Sequence, residues 1–221
     1  MAEYGIFEVV GPIMVGPSSS HTAGACRIAN AARKICGEDF TRCEFGLHGS
    51  FAKTYRGHGT DRALIAGMLG LSPHDPKIPD AFELAKKEDL HITFCEKDLG
   101  DVHPNTVKIS LTYPDGTLRE IVGSSIGGGN IRIIEIDGRT LDFKNQFPTL
   151  VLQYEEQKGI IAEVSKAISE RGYNIEGINT IKKGKEVSLT IEITQPLEEE
   201  VVERILHNPK FTFAKYLEPT K

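Results

Sequence analysis

A chain of 221 residues, 39% hydrophobic and 26% charged, has the composition of a soluble globular protein and the length for one or two domains with a real core. A formal charge of −5 without a basic cluster speaks against nucleic acid as the main partner, and no window reaches the apolar length of a membrane span. The stretch from Ile6 to Val15 is mildly apolar but lacks the basic leading segment and cleavage site of a secretory signal, so a cytoplasmic location is expected. Four cysteines, Cys26, Cys36, Cys43 and Cys95, are too widely spaced for a disulfide framework or a metal motif, and no C-x-x-C occurs.

In chain order, Tyr4 to Val10 reads as a short strand ahead of Gly11-Pro12. Gly16-Pro17-Ser18-Ser19-Ser20-His21-Thr22-Ala23-Gly24 then reads as a polar loop. It opens a helix whose apolar residues fall at Ala25, Ile28, Ala29, Ala32 and Ile35 and which stops at Gly37. Unpaired N–H groups at a helix start favour an anion, serine and threonine hydroxyls add donors, and His21 titrates near neutral pH, so a carboxylate or phosphate fits there. A serine-rich loop ahead of a helix is also an ordinary cap. Cys43 to Leu47 reads as a strand, followed by His48-Gly49-Ser50-Phe51-Ala52. A second polar loop, Gly57-His58-Gly59-Thr60-Asp61, opens a second helix with Thr60 as its cap, and Gly70 ends it.

Pro79 to Lys87 reads as a third helix. Strands are expected at His91 to Cys95, Thr106 to Thr112 and Thr117 to Val122, the last two a hairpin about Pro114-Asp115-Gly116. Ser124-Ser125-Ile126-Gly127-Gly128-Gly129 follows, where three glycines let a backbone approach a ligand or a neighbouring chain, or simply turn. A further hairpin, Ile131 to Ile136 with Arg139 to Phe143, precedes a domain boundary near Asn145 to Pro148. Beyond it come a strand (Thr149 to Gln153), a helix (Gly159 to Arg171), strands at Tyr173 to Lys182 and Glu186 to Thr194, a helix (Pro196 to Leu206) and a strand (Phe211 to Leu217). That βαββαβ order is ferredoxin-like, with two helices on one face of an antiparallel sheet and the other face free for partners.

The motifs G-P-S-S-S-H-T-A-G (16–24), G-H-G-T-D (57–61), H-P-N-T (103–106) and S-I-G-G-G (125–129), in that order, resemble the β subunit of the bacterial two-subunit, iron–sulfur-dependent L-serine dehydratases. The C-terminal unit resembles an ACT regulatory domain: Glu156-Gln157-Lys158-Gly159 stands where many carry an acidic residue followed by Pro-Gly, with Lys158 replacing the proline, and Asn174-Ile175 matches the usual Asn-Ile. The resemblance implies an α+β fold, with a domain over 1–146 similar to the allosteric substrate-binding domain of some phosphoglycerate dehydrogenases and an ACT-like domain over 147–221. It implies deamination of L-serine to pyruvate and ammonia with a four-iron–four-sulfur cluster whose cysteines belong to a separate α subunit.

For the site, the resemblance implies His21, His58 and His103 as proton-handling groups facing the subunit junction, where histidines suit acid–base work near pH 7. Ser18, Ser19, Ser20, Thr22, Thr60, Asn105, Gly127 and Gly128 are the expected substrate-binding residues, and Gly159, Asn174 and Ile175 the expected effector-binding ones. Single-chain relatives carry two histidines in the second motif, whereas Gly59 follows His58 here. His48, His74, His91 and His207 lie outside the motifs, and Asp61 caps or orients. Partners implied are the α subunit, L-serine, and a second copy of this chain through the ACT-like domain. Two other readings stay open: an amino-acid-sensing regulatory subunit without catalytic residues, or a chain that mainly mediates assembly.

Overall fold

The computed structural model describes residues 12–219, so the strand expected at Tyr4 to Val10 lies outside the described residues. These residues divide into two compact units, 12–137 and Gly138–Pro219.

In the first unit a π-helical turn, Ser19–Gly24, runs directly into helix α1, Ala25–Cys36. Strand β1 (Arg42–Leu47), helices α2 (Gly49–His58) and α3 (Thr60–Met68), a 3-10 turn (Ile78–Asp80), helix α4 (Ala81–Lys87) and strand β2 (His91–Glu96) follow. Strands β3 (Thr106–Thr112), β4 (Leu118–Gly127) and β5 (Asn130–Ile136) complete it. The strands lie in the order β2-β1-β3-β4-β5; β2 is parallel to β1 and the other pairs are antiparallel. The parallel pair needs a crossover, and the three helices between β1 and β2 supply it.

Alternation along the strands aims one face at the helices: Phe45 and Leu47 of β1 and Val107, Ile109 and Leu111 of β3 are buried. Helix α1 meets this sheet and α3 through small residues. A Cβ on Gly123 of β4 would stand 2.6 Å from Ile28 Cγ2, and one on Gly67 of α3 would stand 2.3 Å from the Cys26 carbonyl oxygen. Neither position has room for a side chain. Asn30 Nδ2 donates to Leu71 O at 2.7 Å, and Arg33 Nη1 to Met68 O at 3.1 Å, so α1 also satisfies carbonyls at the end of α3.

Two sequence expectations change here. The serine stretch is not a loop before a helix at Ala25, because the chain is already helical from Ser19, with Ser18 as its cap. The segment 49–58 is helix α2, so the second glycine–histidine motif is a break between two helices and not a loop opening one. Gly59, left-handed at φ +67°, makes that break in one residue. Strong periodicity was missing from α2, which buries only Phe51 fully.

The second unit holds β6 (Arg139–Phe143), then β7 (Thr149–Glu155), α5 (Ile160–Ser169), β8 (Ile175–Lys183), β9 (Glu186–Ile193), α6 (Glu199–Leu206) and β10 (Phe211–Leu217). Its antiparallel sheet has the order β10-β7-β9-β8, the expected βαββαβ arrangement. Leu150, Leu152, Ile160, Val164, Ile168, Leu189, Ile191, Val201 and Ile205 form the core between sheet and helices. The opposite sheet face is not left free, as the sequence suggested. On it Thr190 Oγ1 donates to Asp142 O at 3.2 Å, and Arg139 donates to Gln153 Oε1 at 3.2 Å and to Thr212 Oγ1 at 3.0 Å, so β6 covers part of it.

Candidate functional site

His21 sits in the π-helical turn, and its ring meets two others. The ring packs edge-on to Phe51 at 5.3 Å between centroids and lies 4.7 Å from the His58 ring, tilted by 32°. Its Nδ1 has Ser18 Oγ at 3.4 Å and Ser20 Oγ at 3.3 Å, while Nε2 has Ser50 Oγ at 3.1 Å. Hydroxyls donate or accept, so either neutral tautomer is satisfied. Ser18 Oγ also accepts from the His21 N–H at 3.3 Å, which makes Ser18 the cap of the turn. Burial lowers the His21 pKa, and the neighbouring His58 lowers it further, so the imidazole is neutral at pH 7 and able to accept a proton.

His58 is the last residue of α2. Its Nδ1 lies 3.3 Å from Thr54 O, and its carbonyl accepts from Thr22 Oγ1 at 3.4 Å, which ties the π-helical turn to the α2–α3 break. A Cβ on Gly16 would meet Thr22 Oγ1 at 2.5 Å, so glycine is needed where the incoming chain passes that hydroxyl. Thr60 is wholly buried and its Oγ1 has no hydrogen-bond partner among the described residues, so it is not the cap of α3 that the sequence suggested. Asp61 Oδ1 accepts from the Arg62 N–H at 2.8 Å in the first turn of α3.

The third motif reaches the same place by its backbone. Pro104 O accepts from Ser50 N–H at 2.8 Å, which fixes the start of α2 and hence Ser50 beside His21 Nε2. A Cβ on Gly49, at φ +55°, would stand 2.7 Å from that carbonyl oxygen. His103 itself is exposed. Its Nδ1 accepts from Asn105 N–H at 3.1 Å and its carbonyl accepts from Thr106 Oγ1 at 2.5 Å. Asn105 O accepts from Ser125 N–H at 2.9 Å, and Thr106 Oγ1 pairs with Ser124 Oγ at 2.7 Å. Ser125 is buried directly against the π-helical turn: a Cβ on Gly24 would lie 2.0 Å from its Oγ.

Gly128 and Gly129, at φ +59° and +79°, close the β4–β5 hairpin, and Gly129 O accepts from Arg27 Nη1 at 2.8 Å. Gly127 and Gly128 are thus turn residues beside the Ala23 end of the site, not beside the histidine rings. The structure brings together His21, His58, Ser18, Ser20 and Thr22; it joins His103 and Asn105 to them through backbone only. Ser19 begins the turn, and no side-chain hydrogen bond ties it to the rings. Ser50, which the sequence reading passed over, proves central. Its signal was its position after a strand and a glycine, at the first turn of a helix. His48 is structural: its N–H donates to Thr106 O at 3.0 Å and its Nδ1 accepts from Leu99 N–H at 3.2 Å. His74 and His91 are exposed, and His207 pairs with Glu203 on α6.

In the second unit, Gly159, left-handed at φ +90°, opens α5. Asn174 O accepts from Thr194 N–H at 3.2 Å, and Ile175 begins β8, an edge strand of its sheet. The thiols offer no metal nest. Cys26 and Cys43 are buried, burial pushing the first thiol up to about 12 and the second well above its ordinary value, and Cys95 is exposed on β2. Among the described residues no group of three or more His, Cys, Asp or Glu is placed to hold a metal ion. No helix among them is long and apolar enough to cross a membrane.

Known proteins resemble this chain. Residues 6–87 match the family described as serine dehydratase beta chain, and residues 149–208 match the ACT domain. A protein of Peptoniphilus asaccharolyticus named "L-serine dehydratase, beta chain" is 51% identical over 222 residues, covering 99% of this chain and 100% of that one. One of Bacillus subtilis, named "Probable L-serine dehydratase, beta chain", is 37% identical over 206 residues, covering 92% and 93%. Among solved structures, the ACT domain from GTP pyrophosphokinase of Chlorobium tepidum aligns with TM-score 0.28 and 14% identity, over 32% of this chain and 95% of that one.

Proposed function

The chain belongs to the serine dehydratase beta-chain family, and from that premise we propose that it works with a cluster-bearing α subunit to convert L-serine to pyruvate and ammonia. The observation that carries this reading is the His21–His58 pair, 4.7 Å apart, with His21 held neutral and bonded at both nitrogens by serine hydroxyls. Loss of water from serine needs a base for the Cα proton and help for the leaving hydroxyl. This chain supplies the first. Burial, and then the neighbouring His58, disfavour the charged form of His21, so a proton that this imidazole takes up is readily passed on.

In this reading Ser50 holds Nε2, Ser18 and Ser20 hold Nδ1, and Thr22 fixes His58 through its carbonyl. His103 and Asn105 support the pair by fixing backbone, Thr60 packs in the core at the start of α3, and Ser19, Gly127 and Gly128 line the approach of substrate.

The family's iron–sulfur cluster does not fit the thiols of this chain. Cys26 and Cys43 lie on different elements, buried and with thiolate formation disfavoured, whereas a cluster is held by convergent thiolates. We therefore assign the cluster, and assistance to the leaving hydroxyl, to the α subunit. No step on this chain runs through it.

The domain limits most useful for function are 1–146 and 147–221, the first carrying the histidines and the second regulation. The ACT-like part pairs with a second copy through the free edge of β8, and Gly159, Asn174 and Ile175 border an effector site at that junction. The complex is cytoplasmic. The test is kinetic: in the assembled enzyme, His21→Ala lowers kcat by roughly a hundredfold or more, the scale for a lost acid or base. Wild-type kcat in that variant rules out the proposal.

A further inference from the structure

Beside His58 lies a cavity of about 240 Å³, lined in part by Gly16, Thr22, Arg56, His58, Gly59 and Arg62. The volume suits a ligand of a few heavy atoms, since drug-sized ligands take pockets of roughly 300 Å³ or more. Its charge is one-sided. Arg56 and Arg62 both line it, and among the described residues no carboxylate pairs with either; Asp61, the nearest acid in sequence, spends an oxygen on the Arg62 N–H. Arg56 is also steadied: its Nε donates to Tyr55 Oη at 3.1 Å and its guanidinium carbon lies 5.4 Å from the Tyr55 ring centroid. That anchoring uses Nε and leaves both terminal nitrogens to a ligand. Arg62 stands in the first turn of α3, where the helix end adds to the positive potential.

We infer that Arg56 and Arg62 clamp the carboxylate of the amino-acid substrate in this cavity. The inference rests on the functional reading above and extends it. The hydroxyls of Ser18 and Ser20 are turned to His21 Nδ1, so the serine stretch serves the base while the arginines supply the anion site. Guanidinium groups match a carboxylate with two parallel hydrogen bonds, which fixes orientation as well as affinity. His58 belongs both to the cavity wall and to the histidine pair. A carboxylate seated on the arginines therefore sets the adjacent Cα beside the imidazoles, where positioning contributes to rate.

The test uses the assembled two-subunit enzyme. Arg56→Gln and Arg62→Gln are each expected to raise KM for L-serine about tenfold or more, with kcat falling less, and the double variant is expected to exceed either. An unchanged KM in the double variant overturns the clamp. A second measurement guards against variants that fail to assemble: the histidine NMR signals of this chain alone, titrated with L-serine and with L-serinamide, which lacks the carboxylate. The clamp predicts that L-serine moves the His58 signal, that serinamide does not, and that Arg62→Gln abolishes the response. Equal responses to both compounds overturn it. The two proposals separate cleanly. If Arg62→Gln raises KM while His21→Ala leaves kcat unchanged, the clamp stands and the proton-handling reading falls; the opposite pattern removes the clamp alone.

Discussion

His21 Nε2 lies 3.1 Å from Ser50 Oγ, across 29 positions of sequence, and the Pro104 carbonyl fixes Ser50 from a third segment. Three segments far apart in the chain thus set the position of one ring. Ser50→Ala removes one neutral hydrogen bond, worth ~0.5–1.5 kcal/mol. A fall in kcat of about three- to tenfold is expected in the assembled enzyme, together with a displaced acid limb of the pH–rate profile. A variant that loses stability but keeps that limb in place would show Ser50 to be structural only.

The acid limb has a predictable direction. Burial first, and His58 second, hold the His21 pKa below its ordinary 6.5. Besides His58, the groups against the ring are the hydroxyls of Ser18, Ser20 and Ser50 and the Phe51 ring. The unfolded chain binds this proton more readily than the folded one. The site's contribution to stability is therefore fully present above pH 6.5 and is lost as pH falls through the lowered value. His58→Gln removes the smaller of the two causes, so the His21 pKa should rise part of the way and the acid limb should move to higher pH. Histidine proton shifts followed from pH 8 to 4 measure it; a His21 midpoint that falls, or does not move, contradicts the coupling.

The close approach of α1 and α3 is a separate test of the frame around the site. Gly67→Ala places a methyl group against the Cys26 carbonyl and Ala29 Cβ, which would stand 2.3 and 2.6 Å away. Overpacking of this kind costs about 1–3 kcal/mol, to be read from urea unfolding followed by probes in the first unit. Wild-type stability would mean that the helices are spaced more widely than described.

Much of this was legible in the sequence, and the exceptions have physical causes. The strands of both units announced themselves by alternation and by turns such as Pro114-Asp115-Gly116, and α1 by its spacing of Ala25, Ile28, Ala29, Ala32 and Ile35. The βαββαβ order was readable for the same reason. Helix α2 was not, since a helix with Phe51 as its one fully buried residue leaves no apolar stripe to detect. Missing α2 hid Ser50 and made Gly57-His58-Gly59 look like a loop. Thr60 misled in the opposite way: a hydroxyl at a helix start normally caps, but tertiary packing has buried this one completely. The cover that β6 lays over the second sheet depends on long-range contacts, which no local pattern encodes.

The proposed pairing of ACT-like domains is open to measurement. Strand β8 is an edge with Ile178 44% exposed, and an open edge of this kind invites a partner strand. Light scattering of this chain at tens of micromolar is expected to give a dimer mass, and Ile178→Lys to shift it toward monomer. A monomer mass for the wild type, with or without L-serine, counts against the pairing.

The proposed active site is divided, with proton handling on this chain and the cluster on its partner. Anaerobic reconstitution with iron and sulfide, performed on each subunit alone and on the two together, tests it most directly. The account predicts visible cluster absorption from the α subunit and not from this chain, pyruvate from L-serine only when the two are combined, and roughly a hundredfold loss when the combined enzyme carries His21→Ala. A cluster and pyruvate from this chain alone, or full activity from the α subunit alone, would contradict it.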